Sequence, residues 1–307
     1  MLNFLLLILL RILIYFLNLF PYKLRISIIE LLLKFLTKIL TRYKKIAIRN
    51  MELVFPNKEG RFYENLFQES LYSLARGFVD FCRASELDLD WVKTHVDIVG
   101  LEQFIELKKN YPNRGFLIVS GHLGSFELFP LCAAAFIGSM SFVARSFKQS
   151  SIDNWVTTTR FRYGNKLIPR KGAFKSIMKI LKAGENVGLL FDQNVVRNNA
   201  VFVNWFGRPA ATTKALGMAA LRLKIPIVIV SIKSEDLDRY SINIQECDLK
   251  DVYGSDLISN EEKIIKITER VTKIFEKLIL EDPASWFWMH RRWKTTSQEG
   301  ESEDFYK

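Results

Sequence analysis

Hydrophobic and polar positions divide the chain into three stretches. Residues 2–20 (LNFLLLILLRILIYFLNLF) are apolar apart from Arg11 and the amides Asn3 and Asn18. As a helix this run would span about 28 Å at ~1.5 Å per residue, close to the ~30 Å hydrocarbon core of a bilayer. Arg11 near its centre costs roughly 2.5–3.5 kcal/mol on an insertion scale, which the Leu, Ile and Phe neighbours offset. No basic stretch precedes the run and no A-x-A-like cleavage site follows it, so it reads as an uncleaved anchor over residues 1–20, spanning or lying in the interface. The alternative is a core helix of a soluble protein. Residues 21–50 carry eight basic residues and one acid, Glu30. Glu30, Lys34, Lys38 and Arg42 recur every four residues, opposite Ile29, Leu32, Leu33, Phe35, Leu36, Ile39 and Leu40. That is a basic amphipathic helix suited to anionic headgroups, or equally a solvated face over a core-facing stripe.

From residue 51 to 294 helix-like and strand-like runs alternate. Helical patterns occupy Leu66–Arg83, Gly124–Phe136, Ile152–Tyr163, Gly172–Ala183, Thr212–Leu223 and Glu261–Leu280. Short apolar runs at Gly115–Ser120, Met140–Ala144, Lys166–Pro169, Asn186–Phe191 and Pro226–Ile232 read as buried strands, and Tyr240–Gln245 alternates like an edge strand. Val92–Val99 leads into a short segment at Leu101–Lys109. The alternation predicts an α/β fold, a central mostly parallel sheet flanked by helices, with a hydrophobic helix in front of it. The polar end, residues 295–307 with four acids, reads as a frayed tail.

Composition sharpens this. The apolar class is 49% of the 307 residues and charged residues are 25%, enough to build a large core and to exclude wholesale disorder. Lys plus Arg outnumber Asp plus Glu 44 to 33, and the net charge of +11 favours an anionic partner. Positive charge beside the apolar run marks the cytoplasmic side of a membrane. Cys82, Cys132 and Cys247 are far apart with no C-x-x-C, so they read as buried free thiols. With only three histidines beside them, little material remains for a metal cage.

Candidate chemistry concentrates where strands end. Ser120-Gly-His-Leu-Gly-Ser-Phe-Glu127 follows a buried strand, the place where α/β folds hold ligands. His122 lies between two glycines, and one turn of helix would return the Glu127 carboxylate towards its imidazole, as base and orienter. The bland alternative is a capping histidine beside an unrelated glutamate. Arg170 and Lys171 end the Lys166–Pro169 strand, just before the helix at Gly172, as an anion seat. Asp192, Gln193 and Asn194 close another, where turn and N-cap chemistry is the competing explanation. Trp286-Phe-Trp-Met-His-Arg-Arg-Trp-Lys294 mixes rings and cations in a way that suits a lipid interface or stacked bases.

HLGSFE, the DQN after a hydrophobic strand, VFVNWFGRPAATT and the closing WFWMHRRWK, in this order and spacing, resemble the bacterial lipid A (Kdo-lipid) late acyltransferases. That family is related to the glycerolipid acyltransferases, whose H-x4-D box is here H-x4-E. The likeness runs over roughly residues 2–294. Gly164 to Arg170 satisfies the G-x5-R block of the glycerolipid branch, whereas Asp192-Gln193 stands where that branch has an E-G-T-R-like third block.

The resemblance implies a glycerolipid-acyltransferase-like fold. It also implies transfer of a fatty acyl group from an acyl carrier protein or acyl-CoA thioester to a hydroxyl of an anionic glycolipid, a lipid A precursor. The work would be done at the inner membrane, with the catalytic domain on the cytoplasmic side. His122 would be the general base and Glu127 its partner. Arg145 (in FVAR, followed by Ser146 where the family often has proline), Arg160 or its neighbour Arg162, Arg170, Asp192 and Gln193 would bind substrate or oxyanion. Backbone N–H groups at the Gly124 helix start would assist. This chemistry requires no metal or other cofactor. Lys34, Lys38 and Arg42, with Arg291, Arg292 and Lys294, would hold the protein against an anionic surface. Acylation of a lysophospholipid or aminolipid is the alternative within enzymes. A non-enzymatic membrane-surface protein and a nucleic-acid binder are the alternatives outside them, the last unsupported by any nucleic-acid motif.

Overall fold

The computed structural model describes residues 2–147, 149–297 and 304–306. Helices α1 (Leu2–Asn18), α2 (Tyr22–Ile39), α3 (Thr41–Val54) and α4 (Gly60–Arg83) precede the sheet. Then follow α5 (Leu89–His95), β1 (Val96–Val99), α6 (Leu101–Asn110), β2 (Leu117–Ser120), α7 (Phe129–Phe136), β3 (Ser141–Ala144), α8 (Ser150–Arg160) and β4 (Lys166–Pro169). The chain continues through α9 (Ala173–Lys182), β5 (Val187–Leu190), β6 (Ala200–Trp205), β7 (Arg208–Thr213), α10 (Lys214–Leu223), β8 (Ile227–Asp236), β9 (Arg239–Cys247), α11 (Lys250–Gly254) and α12 (Asn260–Glu281). Seven strands form one sheet in the order β1-β9-β8-β2-β5-β3-β4, parallel except for the antiparallel β8–β9 pair.

Both faces of this sheet are covered, which is why its central strands are apolar without alternation. Leu117, Val119, Ile227 and Ile229 join one core with Leu216, Ile267 and Phe275 from α10 and α12. Phe116, Ile118, Val228 and Val230 join the other with Val92, Phe104 and Leu131 from α5, α6 and α7. The strand expected at an edge, β9, is internal: β1 lies outside it, with Val96–Val99 paired to Tyr240–Asn243. A separate hairpin, β6–β7, turns at Phe206 and Gly207, whose φ values of 51° and 81° suit a two-residue hairpin turn with left-handed central residues. The three cysteines are buried and free, their thiols pushed up to about 12 by burial.

The N-terminal run departs from the spanning reading. No helix among the described residues is long and apolar enough to cross a membrane. α1 ends at Asn18, and that end is tied down in polar fashion. Asn18 donates to Glu86 at 2.7 Å, while Arg25 donates to Asn18 Oδ1 and to its backbone oxygen at 2.9 and 2.6 Å. α2 is not simply two-faced either. Ile26, with Ile29 and Leu33, packs on Ala75 and Val79 of α4, while Leu31, Leu32, Phe35, Leu36, Ile39 and Leu40 remain exposed.

Of the tail read as frayed, residues 298–303 and 307 lie outside the described residues. Phe305 and Tyr306 pack on Trp293 and on each other, and the Tyr306 hydroxyl donates to Asn50 at 2.7 Å.

Candidate active site

Strand register builds the centre of the site. β2 and β5 are adjacent and parallel, with Leu117 opposite Val187 and Ser120 opposite Leu190, a constant offset of 70 (190 − 120). The pairing runs on as the Phe191 N–H donates to Ser120 O at 3.2 Å. The same offset (192 − 122 = 70) sets Asp192 beside His122. His122 Nδ1 meets Asp192 Oδ1 at 2.8 Å, and the His122 backbone N–H donates to Oδ2 at 2.9 Å. An ionised carboxylate only accepts, so Nδ1 carries the proton and the Nε2 lone pair is left as the basic site. The Gln193 amide nitrogen lies 3.2 Å from Nε2 as its donor. Gly121 is needed for this approach: a Cβ there would sit 2.4 Å from the Phe275 ring and 3.0 Å from the Asp192 carboxyl carbon.

The partner bonded to the imidazole is therefore Asp192, not Glu127. Gly124 adopts a left-handed φ of 52°, so residues 121–125 are a loop rather than a helical turn. A 3₁₀ turn begins only at Phe126, with α7 following from Phe129. From that turn Glu127 points at α8, where Arg160 grips it in a two-pronged ion pair, Nε to Oε2 at 2.7 Å and a second bond to Oε1. The Gly124 N–H is likewise engaged, donating to Ser285 O at 2.9 Å, so it does not serve as the oxyanion donor expected of it.

Electrostatics follow from these contacts. Burial alone would raise the Asp192 carboxyl, but His122 and its N–H bonds outweigh burial and hold it well below the usual carboxylate range. Burial lowers the His122 pKa, but the charge and hydrogen bond of Asp192, with the charge of Glu127, outweigh burial and the opposing Arg160 and raise it above its ordinary value.

A cavity of about 1010 Å³ opens in front of His122. His122, Glu127, Arg145, Arg160, Arg170 and Gln193 all line it, between apolar walls that include Phe129, Phe142 and Met218. Arg145 and Arg170 are neighbours by register: Ala144 pairs with Pro169 at the ends of β3 and β4, and each arginine is the next residue. Arg162 is not in this cavity; it donates to the backbone oxygens of Ala84, Ser85 and Leu87 at 3.0, 2.7 and 2.9 Å. A narrower slot of about 150 Å³ runs along α4 past Ser73, Gly77 and Phe78, and meets the first cavity at His122, Phe126 and Glu127. Among the described residues no three His, Cys, Asp or Glu side chains are grouped to hold a metal.

The segment after α12 has a role that its composition conceals. It crosses the histidine loop as a strap, with Leu123 and Trp286 in an antiparallel bridge and the Phe287 N–H donating to His122 O at 3.1 Å. The Trp286 indole N–H donates to Asp192 Oδ2 at 3.0 Å. Trp286, Trp288 and Trp293 are at most 2% exposed, so they are core rather than a lipid-facing belt. Arg292 is fully buried, donating to Ala211 O at 2.8 Å and to Thr212, with its guanidinium 4.2 Å from the Trp205 ring. It cannot reach an anionic surface, contrary to the expectation from its place in a basic cluster. Burial pushes it down to about 9 and pushes His290 down to about 3, and the neutral His290 accepts the Asn194 N–H at 2.9 Å. Nothing in the spacing of Trp286 from Asp192 announces their bond; it exists only because α12 returns the chain to the end of β5.

Comparison with known proteins agrees with the motifs. The family described as bacterial lipid A biosynthesis acyltransferase matches residues 1–295. A lipid A biosynthesis palmitoleoyltransferase of Escherichia coli K12 is 25% identical over 260 residues, 83% of this chain and 80% of that protein. A lipid A biosynthesis acyltransferase of Haemophilus influenzae is 27% identical, over 85% of this chain and 81% of its own length. A lipid A biosynthesis lauroyltransferase of E. coli K12 is 26% identical, over 89% and 85%.

Proposed function

Because the chain belongs to the bacterial lipid A biosynthesis acyltransferase family and is an acyltransferase, we propose that it moves a fatty acyl group from a carrier-protein or coenzyme A thioester to a hydroxyl of a lipid A precursor, with His122 as the general base. The carrying observation is the His122–Asp192 pair, whose unprotonated Nε2, held by the Gln193 amide, faces a cavity that is apolar in its walls and cationic at Arg145 and Arg170. Apolar walls suit acyl chains, and the two arginines suit the phosphates and acidic sugars of such an acceptor.

In the reaction, Nε2 takes the hydroxyl proton as the oxygen attacks the thioester carbonyl. The new C–O bond forms, the C–S bond breaks, and the imidazolium returns the proton to the leaving thiolate. A positioned base contributes about 10²–10⁴-fold to such a step. Asp192 fixes the tautomer and stabilises the imidazolium, as the third member of a triad does. The Gln193 amide, which donates to Nε2 in the resting site, releases Nε2 to the incoming hydroxyl and becomes the side-chain donor for the tetrahedral oxyanion. Glu127 adds negative charge near the imidazole and holds Arg160 against the cavity wall.

On the same reading the protein works at the cytoplasmic face of the inner membrane, resting on it through the exposed apolar face of α2 with Lys34, Lys38 and Arg42 beside it. Mass spectrometry of glycolipids from cells with the protein, without it and with His122→Ala tests the reading. Loss of one acyl chain from lipid A in both altered strains is expected. An unchanged lipid A with altered phospholipids or aminolipids would move the acceptor to those classes, and no lipid change at all would overturn the proposal.

A further inference from the structure

Behind the histidine loop, away from the large cavity, lies a buried polar cluster that the chemistry above does not use. Its centre is Asp80 of α4, fully buried. Oδ1 accepts the hydroxyls of Tyr22 and Tyr240, each at 2.7 Å, and the Arg83 guanidinium at 3.1 Å. Oδ2 accepts the hydroxyl of Ser125, itself 1% exposed. Arg83 also donates to the Tyr240 hydroxyl at 2.8 Å and lies 4.2 Å from the Tyr22 ring. One carboxylate thus joins four parts of the fold: the start of α2, α4, β9 and the loop that carries His122.

A buried ion pair such as Asp80–Arg83 contributes little to stability over apolar residues of the same volume, so its partners are the informative part. Arg83 is shared between Asp80 and Asp238, and the hydroxyls of Ser125 and Tyr22 are further donors to Asp80 from elements that must be held in place. Gly77, one turn before Asp80 on the same face of α4, is a second fitted contact. A Cβ there would come within 3.2 Å of the Gly124 carbonyl oxygen. Ser125 stands between Gly124, pinned to the strap at Ser285, and the 3₁₀ turn that aims Glu127 at Arg160; its carbonyl accepts the Leu128 N–H at 2.9 Å. We infer that Asp80 is a positioning residue. Through Ser125 it sets the backbone of the loop bearing His122 and Glu127, and through Tyr22 it makes α2, with its exposed apolar face, part of the same unit.

The inference rests on the acyl-transfer reading for its assay. Asp80→Asn would leave Arg83 without its buried anion and endanger folding, so two hydroxyl deletions carry the test. In the full chain, Ser125→Ala is expected to lower kcat about 10–100-fold, the effect of a catalytic group displaced by a fraction of an ångström to an ångström. KM for the acyl thioester should stay within about twofold, because the substrate cavity is lined elsewhere. Tyr22→Phe is expected to lower kcat roughly three- to tenfold, the worth of one hydrogen bond. The double variant should be no slower than Ser125→Ala alone, since both hydroxyls act through one carboxylate. Unchanged kcat in the folded variants, a loss confined to KM, or losses that multiply would each overturn the inference. Wild-type turnover separates the two questions: no acyl transfer by the unaltered protein refutes the proposed reaction, whereas full transfer by both wild type and Ser125→Ala refutes only the role of Asp80.

Discussion

Replacing Asp192 by asparagine asks the most of the site for the smallest change in shape. Oδ2 accepts two N–H groups, from the His122 backbone and the Trp286 indole. The amide oxygen of the new side chain would have to take that position, because an NH2 there would face two donors. Its NH2 group then points at His122 Nδ1, which must become an acceptor, and the imidazole proton moves to Nε2. The base is lost without loss of the side chain. A base of this kind is worth about 10²–10⁴-fold, and wrong-tautomer variants of triads fall at the upper end, so kcat should drop by about 10³–10⁴. The pH profile adds a sign. Asp192 holds the His122 pKa above its ordinary value, so the wild-type acidic limb should lie above ~6.5 and move to lower pH in the variant's residual activity. Acyl transfer from a purified thioester, followed across the neutral range with a melting curve as control, measures both. A folded Asp192→Asn protein with kcat within about threefold of wild type and the same acidic limb would refute the assignment of base and orienter.

Glu127→Gln should lower kcat by less than Asp192→Asn, and should also shift the acidic limb downwards because one of two carboxylates acting on the imidazole loses its charge; parallel pH profiles of the two variants check this. Arg145→Ala and Arg170→Ala should each raise KM for a phosphorylated acceptor, on the order of tenfold, with kcat nearly unchanged. Steady-state kinetics with and without acceptor phosphate would show it. Leu32, Phe35 and Ile39, all exposed on α2, changed together to aspartate should abolish sedimentation with anionic vesicles while leaving the melting temperature within a few degrees.

Much of this site is legible along the chain because strand ends are easy to read. GFLIVS and NVGLLF are apolar runs bounded by polar or glycine residues, so His122, Asp192 and Gln193 fall at their exits, and Arg145 and Arg170 at two more. What cannot be read is which exits are neighbours. Nearness in sequence favours Glu127 as the orienter, whereas the partner chosen by β-sheet order is 70 residues away. The WFWMHRRWK segment misleads for a related reason. Aromatic and basic composition is the same in a membrane belt and in a packed strap, and only the return of α12 buries it. The β6–β7 hairpin escapes the pattern because its turn is Phe-Gly, without the usual Asn-Gly signal.

The strap also orders events during synthesis. Every strand of the sheet is complete by Cys247, yet Asp192 still lacks the indole that Trp286 brings after α12 has been made. A ribosome that has made only the sheet has therefore made the His122–Asp192 pair without the strap that clamps it. The polypeptide can collapse around its hydrophobic strands while its catalytic loop stays unclamped until Trp286 and Phe287 emerge. A premature stop after Glu281 would leave the α/β sheet's sequence whole and yield a protein silent in the assay.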